Sequence, residues 1–121
     1  MKKILVIDDE PAIRALLSKI LEREGFFVIT ASDGKEGMKL FIKDPVDLVI
    51  TDLIMPEKEG MEVIMELKKK YPGVPVIAIS GGGRNTPESY LNTAKLLGAS
   101  AVLEKPVQKE KFLEAVRHAL K

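Results

Sequence analysis

Short runs of aliphatic side chains alternate along this chain with longer stretches in which apolar residues return every three or four positions. The runs from Ile4 to Ile7, Phe26 to Ile29, Leu48 to Ile50, Val74 to Ile79 and Ala101 to Leu103 have the length and β-branched content of strands. Between them, Ile13, Leu16, Leu17, Ile20 and Leu21 repeat at helical spacing, as do Met61, Ile64, Leu67 and Tyr71, then Tyr90, Leu91, Ala94 and Leu97. The stretch from Gly34 to Lys43 has a narrower stripe in Met38, Phe41 and Ile42, and the last helix carries Phe112, Leu113, Val116 and Leu120. Pro11 and Pro87 stand where a first helical turn accepts proline, and Gly25 and Gly98 stand where a left-handed residue closes a helix.

Five strands thus alternate with five helices. Strands such as "ILVI" and "VIAI" are apolar on both faces, which predicts a parallel sheet with helices on each side. A length of 121 residues, 45% hydrophobic, suits one core, so residues 1–121 are read as a single domain without room for an output domain.

Charge and composition narrow the function classes. With 19 basic and 18 acidic side chains the net charge is +1; no basic block or set of stacking aromatics suggests direct nucleic-acid binding. No cysteine is present, which removes disulfides and thiolate metal sites and suits the cytoplasm. The start "MKKILVIDDE" is too short in apolar residues for a signal-peptide core, and no later run is long enough to insert in a membrane.

The acids in "VIDDEP" are then the anomaly, because adjacent carboxylates repel and are costly to bury without partners. In an open parallel sheet, functional groups gather beyond the carboxyl ends of the strands where strand order reverses. Asp8 and Asp9 follow the first strand, Asp52 the third, Ser80 the fourth and Lys105 the fifth. If the order is 2-1-3-4-5, three carboxylates converge with a hydroxyl and an ammonium beside them. Such a cluster suits Mg2+, which takes oxygen ligands and commonly adds phosphate oxygens. Asp52 could then be a phosphoryl-accepting nucleophile, with Lys105 and Ser80 on the transferred group.

Taken singly, each residue has a plainer use: Asp9 could cap the first helix, Asp52 could serve a turn, Ser80 could belong to a connector, and Lys105 could be solvated. Those uses do not account for all of them falling on one sheet edge. His118 has no such company and is expected to have no chemical role.

These residues resemble the receiver domain of bacterial two-component response regulators, chemotaxis-regulator-like and stand-alone. "ILVIDDEP" resembles the family's first strand with its acidic pair, and "DLVITDLIMPEKEG" its phosphoacceptor strand and D-x-x-M-P-x-x-x-G loop. "VIAIS" is similar to the strand with the switch hydroxyl, and "GASAVLEKP" to the strand ending in Lys-Pro. The resemblance implies a flavodoxin-like α/β fold, a doubly wound five-stranded sheet of order 2-1-3-4-5. It also implies phosphorylation of Asp52, Mg2+ on Asp9, Asp52 and the Ile54 carbonyl with Asp8 acting mainly through water, and phosphoryl contacts from Ser80 and Lys105. The implied partners are a sensor histidine kinase or phosphotransfer domain and a downstream target protein. The chain would be a phosphoacceptor rather than an enzyme.

Some positions depart from the family pattern. Val102 stands where many members have an aromatic switch residue, and Val107 where an aromatic often follows Lys-Pro. Ile54 and Gly82, two positions beyond Asp52 and Ser80, offer no side-chain hydrogen bond to a hydrolytic water. Other readings differ in kind. A flavin carrier would need a phosphate-binding loop where "DDEP" places anions, an aspartyl phosphatase a D-x-D on the first strand, and a binding module that works without phosphate would leave Asp52 and Lys105 unused.

Overall fold

The structure, a computed structural model, describes residues 1–53, 60–80, 92 and 94–121. The expectations on Ile54, Met55, Pro56, Gly82, Pro87, Tyr90 and Leu91 lie outside the described residues. The strands are β1 (Lys3–Ile7), β2 (Phe27–Ala31), β3 (Leu48–Asp52), β4 (Val76–Ser80) and β5 (Ala101–Glu104). The helices are α1 (Pro11–Arg23), α2 (Gly34–Lys43), α3 (Gly60–Lys70), α4, helical at residues 92 and 94–96, and α5 (Lys109–Ala119).

All strand pairs are parallel in the order β2-β1-β3-β4-β5, the flavodoxin-like, doubly wound arrangement. β1 therefore lies between β2 and β3, and the chain reverses its direction of travel across the sheet there. Residues of β1, β3 and β4 are buried almost throughout, whereas the edge strands β2 and β5 keep exposed positions.

Alternation along each strand divides the core into two layers. Leu5, Val49, Val76 and Ala78 face a layer with Phe41 of α2, Ile64 and Leu67 of α3 and Ala94 of α4. Ile4, Val6, Leu48, Ile50, Ile77 and Ile79 face Leu17 and Leu21 of α1 and Phe112 and Val116 of α5. Tyr71, just past α3, sets its ring edge-on to Phe41 with centroids 4.9 Å apart.

The helix ends follow local chemistry. Pro11 opens α1; Asp33 caps α2 by accepting from the Glu36 N–H at 2.8 Å. At the end of α1, Gly25 takes φ +91°, its N–H reaching the Glu22 carbonyl while the Phe26 N–H reaches Leu21, a Schellman closure. Gly98 repeats this after α4 with φ +108°. Two stripe residues differ from expectation: Leu16 is 45% and Ile42 is 58% exposed. Each lies at the margin of an apolar stripe wider than the sheet surface that its helix covers.

Candidate functional site

The carboxyl ends of the strands bring together the polar residues that the apolar runs terminate in. β1 ends at Ile7, paired with Thr51 of β3, so Asp8 and Asp52 emerge side by side; Asp52 is in turn paired with Ile79, one residue before Ser80. Asp8 and Asp52 are each 1% exposed and Ser80 3%. Asp9 is half-buried.

Main-chain hydrogen bonds fix the loop after β1. The Asp8 N–H donates to the Ala31 carbonyl, and the Glu10 N–H donates to Asp8 Oδ1 at 2.9 Å. Arg14, about one turn into α1, donates from its guanidinium to the Asp8 carbonyl at 2.7 Å. The N-cap of α1 is Glu10, without a side-chain cap, so capping does not account for Asp9.

Lys105 enters from the other side. Its N–H donates to the Ser80 carbonyl, and the Lys105-Pro106 peptide is cis. Its side chain, 10% exposed, brings Nζ to Glu10 Oε1 at 2.8 Å, Asp8 Oδ2 at 3.0 Å and Asp52 Oδ2 at 3.3 Å. One ammonium thus serves three carboxylates. Ser80 Oγ, at the same edge, donates to the Leu103 carbonyl at 3.4 Å.

Electrostatics follow from this crowding. Burial pushes the Asp8 carboxyl above the usual carboxylate range, against the downward pull of the Glu10 N–H and Lys105. Burial by itself would lower the Lys105 ammonium, but Glu10, Asp8 and Asp52 together outweigh it and raise Lys105 above the ordinary lysine value.

Carboxylate oxygens of Asp8, Asp9, Glu10 and Asp52 all lie within 4.8 Å of one another. An all-oxygen donor set, two of its acids almost wholly buried, fits a hard divalent cation such as Mg2+. Val102 lies on β5 opposite Ala78, half-buried against the α2–α3 layer. His118 is exposed on α5.

Sequence reasoning passed over two residues that the structure places here. Glu10 was counted among the acids of "DDEP" but given no role; its place directly after the acidic pair was the available signal. Arg14 reads as a polar position on α1, and only the turn geometry after Pro11 shows that it reaches back.

Residues 4–117 match the response regulator receiver domain. The chain belongs to this family. It is similar to the transcriptional regulatory protein GlrR of Escherichia coli K12, 38% identical over 117 residues that take in 97% of this chain and 26% of that protein. The chain therefore spans about a quarter of the length of that relative. A receiver domain protein from Clostridium thermocellum has a TM-score of 0.90 at 37% identity, covering 99% of this chain and 94% of the other. A CheY-like receiver domain protein from Methanospirillum hungatei has a TM-score of 0.91 at 30% identity, with the same coverage of each chain. Receiver domains are phosphoacceptors of two-component signalling, phosphorylated on aspartate and generally not classed as enzymes. No helix among the described residues is long and apolar enough to cross a membrane.

Proposed function

We propose that this receiver domain, read over residues 1–121, is a phosphoacceptor switch in which Asp52 takes the phosphoryl group, fed by a sensor histidine kinase or phosphotransfer domain. The observation that carries the reading is the Lys105 ammonium lying 3.3 Å from a carboxylate only 1% exposed, at the reversal point of the sheet. A buried acid held by an ammonium is oriented and desolvated, as a nucleophile requires.

In the transfer, an Asp52 carboxylate oxygen attacks phosphorus, the phosphorus–nitrogen bond of the phosphohistidine breaks, and the leaving imidazole keeps that electron pair. Asp52 becomes an acyl phosphate. Lys105 supplies positive charge to the phosphoryl oxygens, and the Ser80 hydroxyl, weakly engaged with Leu103, turns to donate to another. Mg2+, held by Asp9, Asp52 and the Ile54 carbonyl with Asp8 mainly through water, would neutralise charge on the transferring group. The contacts of Ile54, which lies outside the described residues, rest on the family resemblance. Ser80, Val102 and Lys105 form the switch set, with Val102 unable to supply a rotating aromatic ring.

Output is read as protein–protein contact with a downstream target, in the cytoplasm, without direct nucleic-acid contact or membrane insertion. The test is labelling by acetyl phosphate with Mg2+. Wild type is expected to take up about one phosphoryl group, removed by Asp52→Asn and by chelation. Equal labelling of Asp52→Asn would show that another carboxylate is the acceptor.

A further inference from the structure

Glu10 stands at the N-cap of α1, where a carboxylate could serve its own helix, yet its side chain makes no cap bond. It reaches Lys105 instead, and at 2.8 Å this is the shortest of the three contacts to the ammonium. Lys105 crosses from β5 to meet it, 95 residues away in the chain.

An ammonium has three N–H donors. Among the described residues they face three anions: Asp8, Glu10 and Asp52. A phosphoryl oxygen arriving on Asp52 is a further acceptor and competes with these partners for the ammonium. Asp52 carries the phosphoryl group, and Asp8 is 1% exposed, so losing the ammonium would leave its carboxylate shielded from bulk solvent. The Glu10 side chain is 40% exposed, so water solvates it when it is released. It is the partner with the smallest penalty for letting go.

We propose that Glu10 is a positioning residue that latches Lys105 in the unphosphorylated site and competes with the phosphoryl group for the ammonium. The latch biases the switch towards rest, and it acts through Lys105 rather than by touching the reacting atoms. The proposal rests on the reading of Asp52 as the acceptor.

The experiment compares wild type with Glu10→Gln and Glu10→Asp. Glutamine removes the charge; aspartate keeps it but is one methylene too short to hold Lys105. Affinity for beryllofluoride, a phosphoryl mimic, is measured calorimetrically at saturating Mg2+, so a change in metal affinity does not enter. Both variants are expected to bind about two- to fivefold tighter, the range that a half-exposed ion pair accounts for. In metal-free protein, solvent exchange of the Lys105 ammonium protons, followed by NMR, is expected to quicken in both. Tighter binding by Glu10→Gln with unchanged binding by Glu10→Asp would mean plain charge repulsion and overturn the latch. So would unchanged affinity or unchanged exchange in both variants. Absence of beryllofluoride binding by wild type and by both variants would overturn the Asp52 reading itself, a result distinguishable from failure of the latch alone.

Discussion

Gly60 gives the most demanding test of how the backbone sets the site. It opens α3, donating its N–H to the Leu53 carbonyl at 3.1 Å. A Cβ added there would lie 1.9 Å from the Asp52 carbonyl oxygen and 2.8 Å from both the Asp52 carbonyl carbon and Leu53 Cα. All three neighbours are backbone, so no side chain can swing aside. Gly60→Ala must therefore move α3 away from β3, or move the Asp52 peptide, by about 1 Å; overpacking of this kind costs about 1–3 kcal/mol. Because Asp52 bears the proposed acceptor carboxylate, the same shift would spoil its alignment, and a misplacement of about 1 Å can slow a reaction by up to about a hundredfold. The assays are urea denaturation without metal and the rate of acetyl phosphate labelling at saturating Mg2+. Loss of stability with an unchanged labelling rate would show that α3 alone gives way. Loss of neither would refute the close packing of Gly60 on Asp52.

Asp9→Ala is expected to abolish most of the stabilisation by Mg2+, about 2.7 kcal/mol at a hundredfold excess over Kd, read as a shift in Tm with and without metal; an undiminished shift would remove Asp9 from the metal site. Asp8 has a raised folded-state pKa, so metal-free wild type should lose stability as pH rises from 3.8 through that higher value, and Asp8→Asn should flatten this limb in pH-dependent denaturation. Lys105 is also raised: its contribution is complete below 10.5 and is lost as pH climbs through the folded value. Lys105→Met should remove that alkaline loss and destabilise the metal-free protein at pH 7 by about 2–4 kcal/mol, because it takes a counter-charge from buried acids. It should also weaken the conformational response to phosphorylation, followed by NMR shifts, more than the labelling itself.

The sheet was legible because β1, β3 and β4 are apolar on both faces, a pattern that suits a parallel strand covered by helices on each side. Strand ends were less so. β3 runs through Thr51 and Asp52, and β4 through Ser80, because the ladder continues beneath polar side chains that an apolar run omits. Proline marks helix starts and glycine marks helix ends, because the backbone limits of both are local. The strand order needed the family resemblance, since pairing across the sheet is not encoded in any one segment. The acids of the crevice were visible as an anomaly of charge at strand ends. What composition could not show was the sharing of Lys105: its partners sit 97, 95 and 53 residues earlier in the chain, and only the closed fold sets their distances.

That sharing also explains why a neutral chain tolerates concentrated acid. An apolar strand gains from burial along its length, and the fold extends that burial to the first polar residues beyond it, which is how Asp8 and Asp52 become almost inaccessible. Lys105 is shared among them, and burial raises the Asp8 carboxyl above the usual carboxylate range despite that ammonium. The crevice therefore concentrates buried carboxylates around one lysine, while the two hydrophobic layers hold it in place. A group that adds positive charge relieves it, and one that adds negative charge to Asp52 must recruit Lys105. Because Lys105 is bonded through its backbone to Ser80 and stands at the end of β5, that recruitment pulls on two strands at once. On the proposed reading, a chemical event on this one buried carboxylate would reach the β4–β5 edge of the sheet through groups already in contact.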